Sequence, residues 1–407
     1  MRPRFRSRAS RACLEPVAWV PPRRVASAGL LLALAVARWP CLAGGAGASR
    51  TAGVSEIVVA AEAALARGDA QRATELFESA AGQEHASDIE VGLVRSLMQA
   101  GEYRKALAFA AHTAGAHANE TAGAALYAWL LAVGGQGAFA QRLLGEVALR
   151  LPADPLIHDL RQRLRPMSAG RDPLPRPPAR FGPTGTGTPT SPVPHVPDVA
   201  RVVSTGVLVN QGCQAIAPSA GLAGASRMWV RNGLGRTIEA RLEQHMHGLG
   251  VALLTLNDPL SDPLDAAQGI TIPERDPFPG TAAYVVEYAS ADTAVAPAWP
   301  WLRTGFLGPV DSATGARRLG IDLPPGPRGG PVFDTSGRLV GLALPQAGGP
   351  GHLDRLLTVS ALRKDLGGKE LQDAFGTGPA RPNLPQMALD DIYERALKVT
   401  LQIIAEP

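Results

Sequence analysis

Cysteine is nearly absent: three in 407 residues, two of them (Cys13 and Cys41) inside an Arg-rich leader. Only Cys213 lies beyond it, which excludes an intramolecular disulfide framework and any Cys-based zinc site. The lone thiol is expected as a small buried hydrophobe, with pairing to a partner's thiol the alternative. Aromatics make up only 5% of the chain. Outside the leader there is no apolar run of membrane-spanning length, and the run inside it, residues 28–37, is too short to cross a bilayer. Dense Lys/Arg stripes, phosphate loops and HExxH motifs are also missing. The composition supplies 45% hydrophobic and 19% charged residues, with 45 Gly and 36 Pro, which suits globular domains more than disorder.

Residues 1–48 read as a secretory leader. Arg2, Arg4, Arg6, Arg8, Arg11, Arg23 and Arg24 precede the apolar run, and Ala46-Gly47-Ala48 forms a small-residue cleavage site. The bulky, charged Arg38-Trp39-Pro40 before Cys41 argues against a lipoprotein. The full chain carries 40 Lys+Arg against 36 Asp+Glu; removal of the leader leaves 32 against 35. The basic balance therefore belongs to the leader, so nucleic acid is not an expected partner. An exported protein without a membrane span after cleavage is expected, and with it a periplasmic location.

Residues 54–165 are Ala/Leu-rich and repetitive. Gly68, Gly101 and Gly135 are 33 and 34 residues apart, and Ala73, Ala106 and Ala140 each follow five residues later. Ala61, Val94 and Ala128 precede those alanines by twelve. This pattern resembles the tetratricopeptide repeat, a helix–turn–helix unit of about 34 residues. Small residues let paired helices approach, and the Gly-Asp or Gly-Glu pair turns the chain. An ordinary Ala-rich helical bundle is the alternative. Residues 166–197 hold ten prolines and read as a semi-stiff spacer.

From residue 198 the signal changes to short β-type runs at 205–210, 228–231, 251–256, 283–288 and 338–344, as in an all-β barrel or sandwich. Three segments resemble trypsin-like serine proteases, especially the bacterial periplasmic Deg-type branch. Thr205-Gly206-Val207-Leu208-Val209 is similar to that family's glycine-initiated strand, and Ala220 falls where its histidine is expected. In Gly250-Val251-Ala252-Leu253-Leu254, Gly250 occupies the aspartate's place. In Gly326-Pro327-Arg328-Gly329-Gly330-Pro331, Arg328 stands at the nucleophile, and Val359-Ser360-Ala361-Leu362 is similar to the closing segment. The resemblance implies a trypsin-like double β-barrel over residues 198–370, and so a multidomain α plus all-β chain.

The serine mechanism needs a hydroxyl, an imidazole and a carboxylate. Ala220, Gly250 and Arg328 supply none of them. The resemblance therefore implies a degenerate triad in an inactive homologue, leaving at most a binding cleft at Gly326, Arg328, Gly329 and Gly330. Ser219 reads as a loop serine. His245 and His247 form at most half a metal site, and His85, His112, His117, His158, His195 and His352 show no pattern. No cofactor or metal is expected. Two functions follow: a non-catalytic interaction protein with protein or peptide partners, or a divergent hydrolase using other residues.

Residues 387–407 contain one further resemblance. Ile392-Tyr393-Glu394-Arg395-Ala396 and then 399–404 are similar to the helix and first strand that usually open Deg-type domains. The expectation is a permuted barrel, with 399–404 beside 205–210.

Overall fold

Three glycines set the helical half. The computed structural model describes residues 52–165, 181–184, 194–260, 270–288, 297–311, 316–323, 328–345, 354–366 and 385–407; the leader lies outside them. Gly68, Gly101 and Gly135 all adopt left-handed backbone, with φ of 79°, 80° and 86°. Each ends a helix in the same way: the amide one residue on donates to a carbonyl five residues back, as Asp69→Ala64, Glu102→Leu97 and Gln136→Leu131. These are Schellman caps, which a residue with a Cβ disfavours. The helices so defined are α1 (Ala52–Ala66), α2 (Ala70–Ala81), α3 (Ser87–Gln99), α4 (Tyr103–Ala116), α5 (Thr121–Val133) and α6 (Gly137–Arg150). Asp154 caps α7 (Pro155–Arg163) through the amides of Leu156 and Ile157.

The repeat alanines Ala73, Ala106 and Ala140 are fully buried, as are Ala61, Val94 and Ala128. Close approach is required elsewhere as well: a Cβ at Gly92 would lie 2.2 Å from the Phe77 ring. Replacing Ala106 with Leu is expected to overpack α4 and lower stability by about 1–3 kcal/mol, read by denaturant unfolding at unchanged m-value. A loss under about 0.5 kcal/mol, the scatter of ordinary surface changes, would show that the helices separate freely.

The β half comprises β1 (Arg201–Val209), β2 (Gln214–Pro218), β3 (Arg227–Asn232), β4 (Thr237–Met246), β5 (Val251–Leu256), β6 (Ala282–Glu287), β7 (Trp301–Val310), β8 (Arg317–Gly320), β9 (Pro331–Asp334), β10 (Leu339–Leu344) and β11 (Arg355–Thr358). Then follow α8 (Val359–Leu366), α9 (Leu389–Val399) and β12 (Thr400–Glu406). The strands form two closed antiparallel barrels, ordered β1-β12-β3-β4-β5-β2 and β10-β11-β8-β7-β6-β9. β12, the last strand of the chain, lies between β1 and β3, with Leu401 opposite both Gly206 and Asn232. If β12 is counted ahead of β1, both rings have one connectivity: first, second, third, sixth, fifth, fourth.

Residues 50–407 form one compact unit. The helix α9 joins the two halves: the Tyr393 ring packs 4.5 Å from that of Tyr103 on α4, and its hydroxyl donates to the Pro300 carbonyl at 2.8 Å. Arg104 pairs with Asp391 at 2.8 Å, and its amide donates to Glu394. Trp129 on α5 meets Trp301 edge-on at 5.3 Å. The Pro-rich spacer, expected to be unpacked, docks where it is described. Phe181 is fully buried, and the Thr184 hydroxyl donates to the Leu65 carbonyl. A large aromatic among the prolines joins the hydrophobic cluster that contains the helical core, and its burial offsets the ordering of the segment. Among the described residues no helix is long and apolar enough to cross a membrane.

Candidate functional site

The three segments singled out in the β half converge at the seam between the barrels. Chain reversal after β2 places Ser219 and the exposed Ala220 in a turn, where the Ser219 amide donates to the Gly250 carbonyl at 3.1 Å. Gly250 enters β5 with φ of +75°, a left-handed conformation that an aspartate adopts only with strain. A Cβ there would also lie 3.3 Å from the Arg355 guanidinium, which donates across the seam to the Leu249 carbonyl.

The third segment is held by backbone. Thr205 donates its amide to the Arg328 carbonyl at 3.0 Å, the Gly329 amide donates to the Ala343 carbonyl on β10 at 2.8 Å, and the Ala343 amide donates to the Gly330 carbonyl at 2.9 Å. A Cβ on Gly329 would fall 2.0 Å from the Thr205 carbonyl oxygen and 2.4 Å from Pro218, while one on Gly330 would strike Glu287. Gly329 is therefore dictated by close approach of the two barrels, and Gly330 by close approach to β6 within the second. Gly326, named with Arg328, Gly329 and Gly330 as a possible cleft, lies outside the described residues.

Arg328 turns its side chain inward. Its guanidinium lies 3.0 Å from Asp354, 3.5 Å from Glu287 and 3.2 Å from the Leu323 carbonyl, and the side chain is only 13% exposed. Glu287 ends β6 almost wholly buried, and burial raises its carboxyl from the ordinary 4.5 to about 7. The charge of Asp354 pushes the same way; Arg328, the Gly330 amide and Arg303 oppose both. One carboxylate oxygen of Glu287 has no hydrogen-bond partner. The cluster can hold charge at the seam but contains no hydroxyl–imidazole pair.

Sequence reasoning named Arg328 and missed Glu287, Asp354 and Arg355. A trace of Glu287 was legible, since it is the one acid ending the apolar run Tyr284-Val285-Val286. His245 and His247 stack at 5.1 Å at the end of β4, and among the described residues no third ligand joins them. Cys213 is half-buried and free.

Residues 200–342 match the model of the trypsin-like peptidase domain, and residues 64–130 match that of the tetratricopeptide repeat. The chain thus carries tetratricopeptide repeats followed by a trypsin-like domain of two six-stranded barrels. No curated protein matches it. Among solved structures it is similar to the inactive form of the Rv3671c protease of M. tuberculosis H37Rv, at 16% identity and a TM-score of 0.32, covering 41% of this chain and 85% of that one. It is also similar to the apo MamO protease domain of Magnetospirillum magneticum, at 17% identity and a TM-score of 0.30, covering 40% and 88%.

Proposed function

We propose that this chain is a non-catalytic protein-interaction protein of the bacterial envelope, in which helical repeats and a trypsin-like domain without protease chemistry act together as a binding platform. The observation that carries the reading is Arg328. At the position where the family resemblance expects a nucleophile stands a guanidinium, and two carboxylates draw it into the protein. Arginine stays protonated and attacks nothing. Ala220 offers no base, and Gly250 offers no carboxylate to orient one. The left-handed Gly250 and the buried partners of Arg328 also oppose a simple return to the triad. Tetratricopeptide stacks commonly bind peptides or helices along their surface, which supports a protein partner. The Arg-rich leader supports export.

The purified protein is expected to leave unfolded protein substrates intact and to take up no serine-directed fluorophosphonate. Labelling of any serine within residues 198–366, abolished by its change to alanine, would overturn the reading in favour of a divergent hydrolase.

A further inference from the structure

The helical repeats contain a cluster of donor atoms that sequence spacing does not announce. His85 lies in the turn between α2 and α3, Glu90 in the first turn of α3, and His112 and His117 at the C-terminal end of α4. Packing of α3 on α4 brings them together. His85 Nε2 lies 2.7 Å from one Glu90 oxygen, and His117 Nε2 lies 3.5 Å from the other. One ligand atom from each of His85, Glu90 and His117 falls within 4.8 Å of the others. His112 Nε2 is 4.0 Å from Glu90.

Two observations point to a ligand. The Glu90 side chain is 2% exposed and that of His117 10%, yet Glu90 Oε2 and His117 Nε2, which face each other, both lack a hydrogen bond. Buried polar atoms are normally satisfied, and an ion between these two would satisfy both. The donors also suit a particular ion class. Two imidazoles and a carboxylate match Zn²⁺ and its first-row neighbours, whose bonds of about 2.0–2.2 Å set neighbouring ligand atoms roughly 3–4 Å apart. Glu120 lies 3.7 Å from His117 Nδ1, in place to orient that ring as outer-sphere carboxylates do. His85 and His112, at 47% and 54% exposure, leave a way in.

We infer that His85, Glu90 and His117 form a binding site for a divalent transition-metal ion, with His112 able to complete the coordination. The ion would tie the α2–α3 turn to the end of α4, independently of the barrels. The competing arrangement is a bare Glu–His ion pair, favoured by the acid at a helix start and the histidines at a helix end.

The test is Zn²⁺ titration calorimetry on the purified protein carrying His245→Ala and His247→Ala, which removes the other adjacent histidines, followed by the visible spectrum of the Co²⁺ form. One equivalent of tightly bound ion and a low-coordinate Co²⁺ band are expected. Both Glu90→Gln, nearly isosteric, and the exposed His85→Ala should weaken binding more than about 100-fold, beyond the 10–100-fold typical of outer-sphere changes. Absence of stoichiometric uptake would overturn the proposal in favour of the ion pair. So would uptake that survives His85→Ala in a protein of unchanged helicity, which decides the matter even if Glu90→Gln fails to fold.

Discussion

Removal of residues 387–407 is expected to unfold both barrels. β12 is paired along its whole length, from Arg201↔Ala405 to Val207↔Thr400 on one side and from Glu406↔Arg227 to Leu401↔Asn232 on the other. Its Leu401 and Ile403 are fully buried in the first barrel, and Ile404 packs with Trp229 outside that core. Deletion opens the ring, exposes two strand edges and strips those apolar side chains. At about 2–5 kcal/mol for each large core residue lost, these three side chains alone cost as much as the roughly 5–15 kcal/mol that holds a domain together, before the lost strand pairing is counted. The second barrel follows, because the Tyr288 hydroxyl donates to the Thr400 carbonyl and Thr205 on β1 braces the Arg328 backbone.

The repeats should not escape, contrary to what the sequence suggests for a separate module. Tyr103 loses Tyr393, and Arg104 loses Asp391 and Glu394. Far-ultraviolet dichroism is expected to keep most helical signal but with a lower melting temperature, while the β signal disappears. A rescue is built into the register. Ala405 faces Arg201, so moving residues 387–407 ahead of residue 198 through a short turn should restore the barrel. A truncated chain whose β half melts as before would refute the assignment of β12 as structural.

Replacing Arg328 with methionine should cost about 3–5 kcal/mol at pH 8, the usual consequence of removing one partner from a buried ion pair. Two carboxylates, Glu287 and Asp354, would be left facing each other without their cation. The loss should depend on pH in a stated direction. Glu287 has a carboxyl raised to about 7 in the folded protein, against 4.5 ordinarily. The folded state thus holds that proton more tightly than the unfolded chain. Its contribution is fully present below about pH 4.5 and disappears as pH rises towards 7. Without Arg328 the carboxyl rises further, so the decline extends to higher pH. The gap between wild type and Arg328→Met should therefore narrow on acidification, as a neutral Glu287 no longer needs the cation. Adding Glu287→Gln should recover much of the loss at pH 8. A pH-independent penalty, or none, would show that the guanidinium contributes through packing alone.

Sequence legibility followed the range of the forces involved. Gly68, Gly101 and Gly135 were readable because a Schellman turn is a local demand on one residue's φ, repeated wherever helices pair. β5 was placed at residues 251–256 because a short, nearly continuous apolar run bounded by Gly250 and Asn257 is itself the pattern of a buried strand. β4 and β7 were not assigned: the run 241–244 of β4 is exposed, and Gly305, Gly308 and Pro309 break the pattern of β7. Their strand state comes from pairing with β5 and β6.

By itself the sequence determined the helical repeat, the β-type half, the residues standing at the three seam positions and the resemblance of the terminal strand to an opening one. All of these rest on local backbone demands or short motifs. Only the tertiary structure decided where charge is buried. Arg328 finds Glu287 and Asp354 across 41 and 26 positions of chain, and His85, Glu90 and His117 meet because α3 packs against α4. Electrostatic partners are chosen by proximity in space within a medium of low polarity, and no periodicity along the chain encodes that proximity.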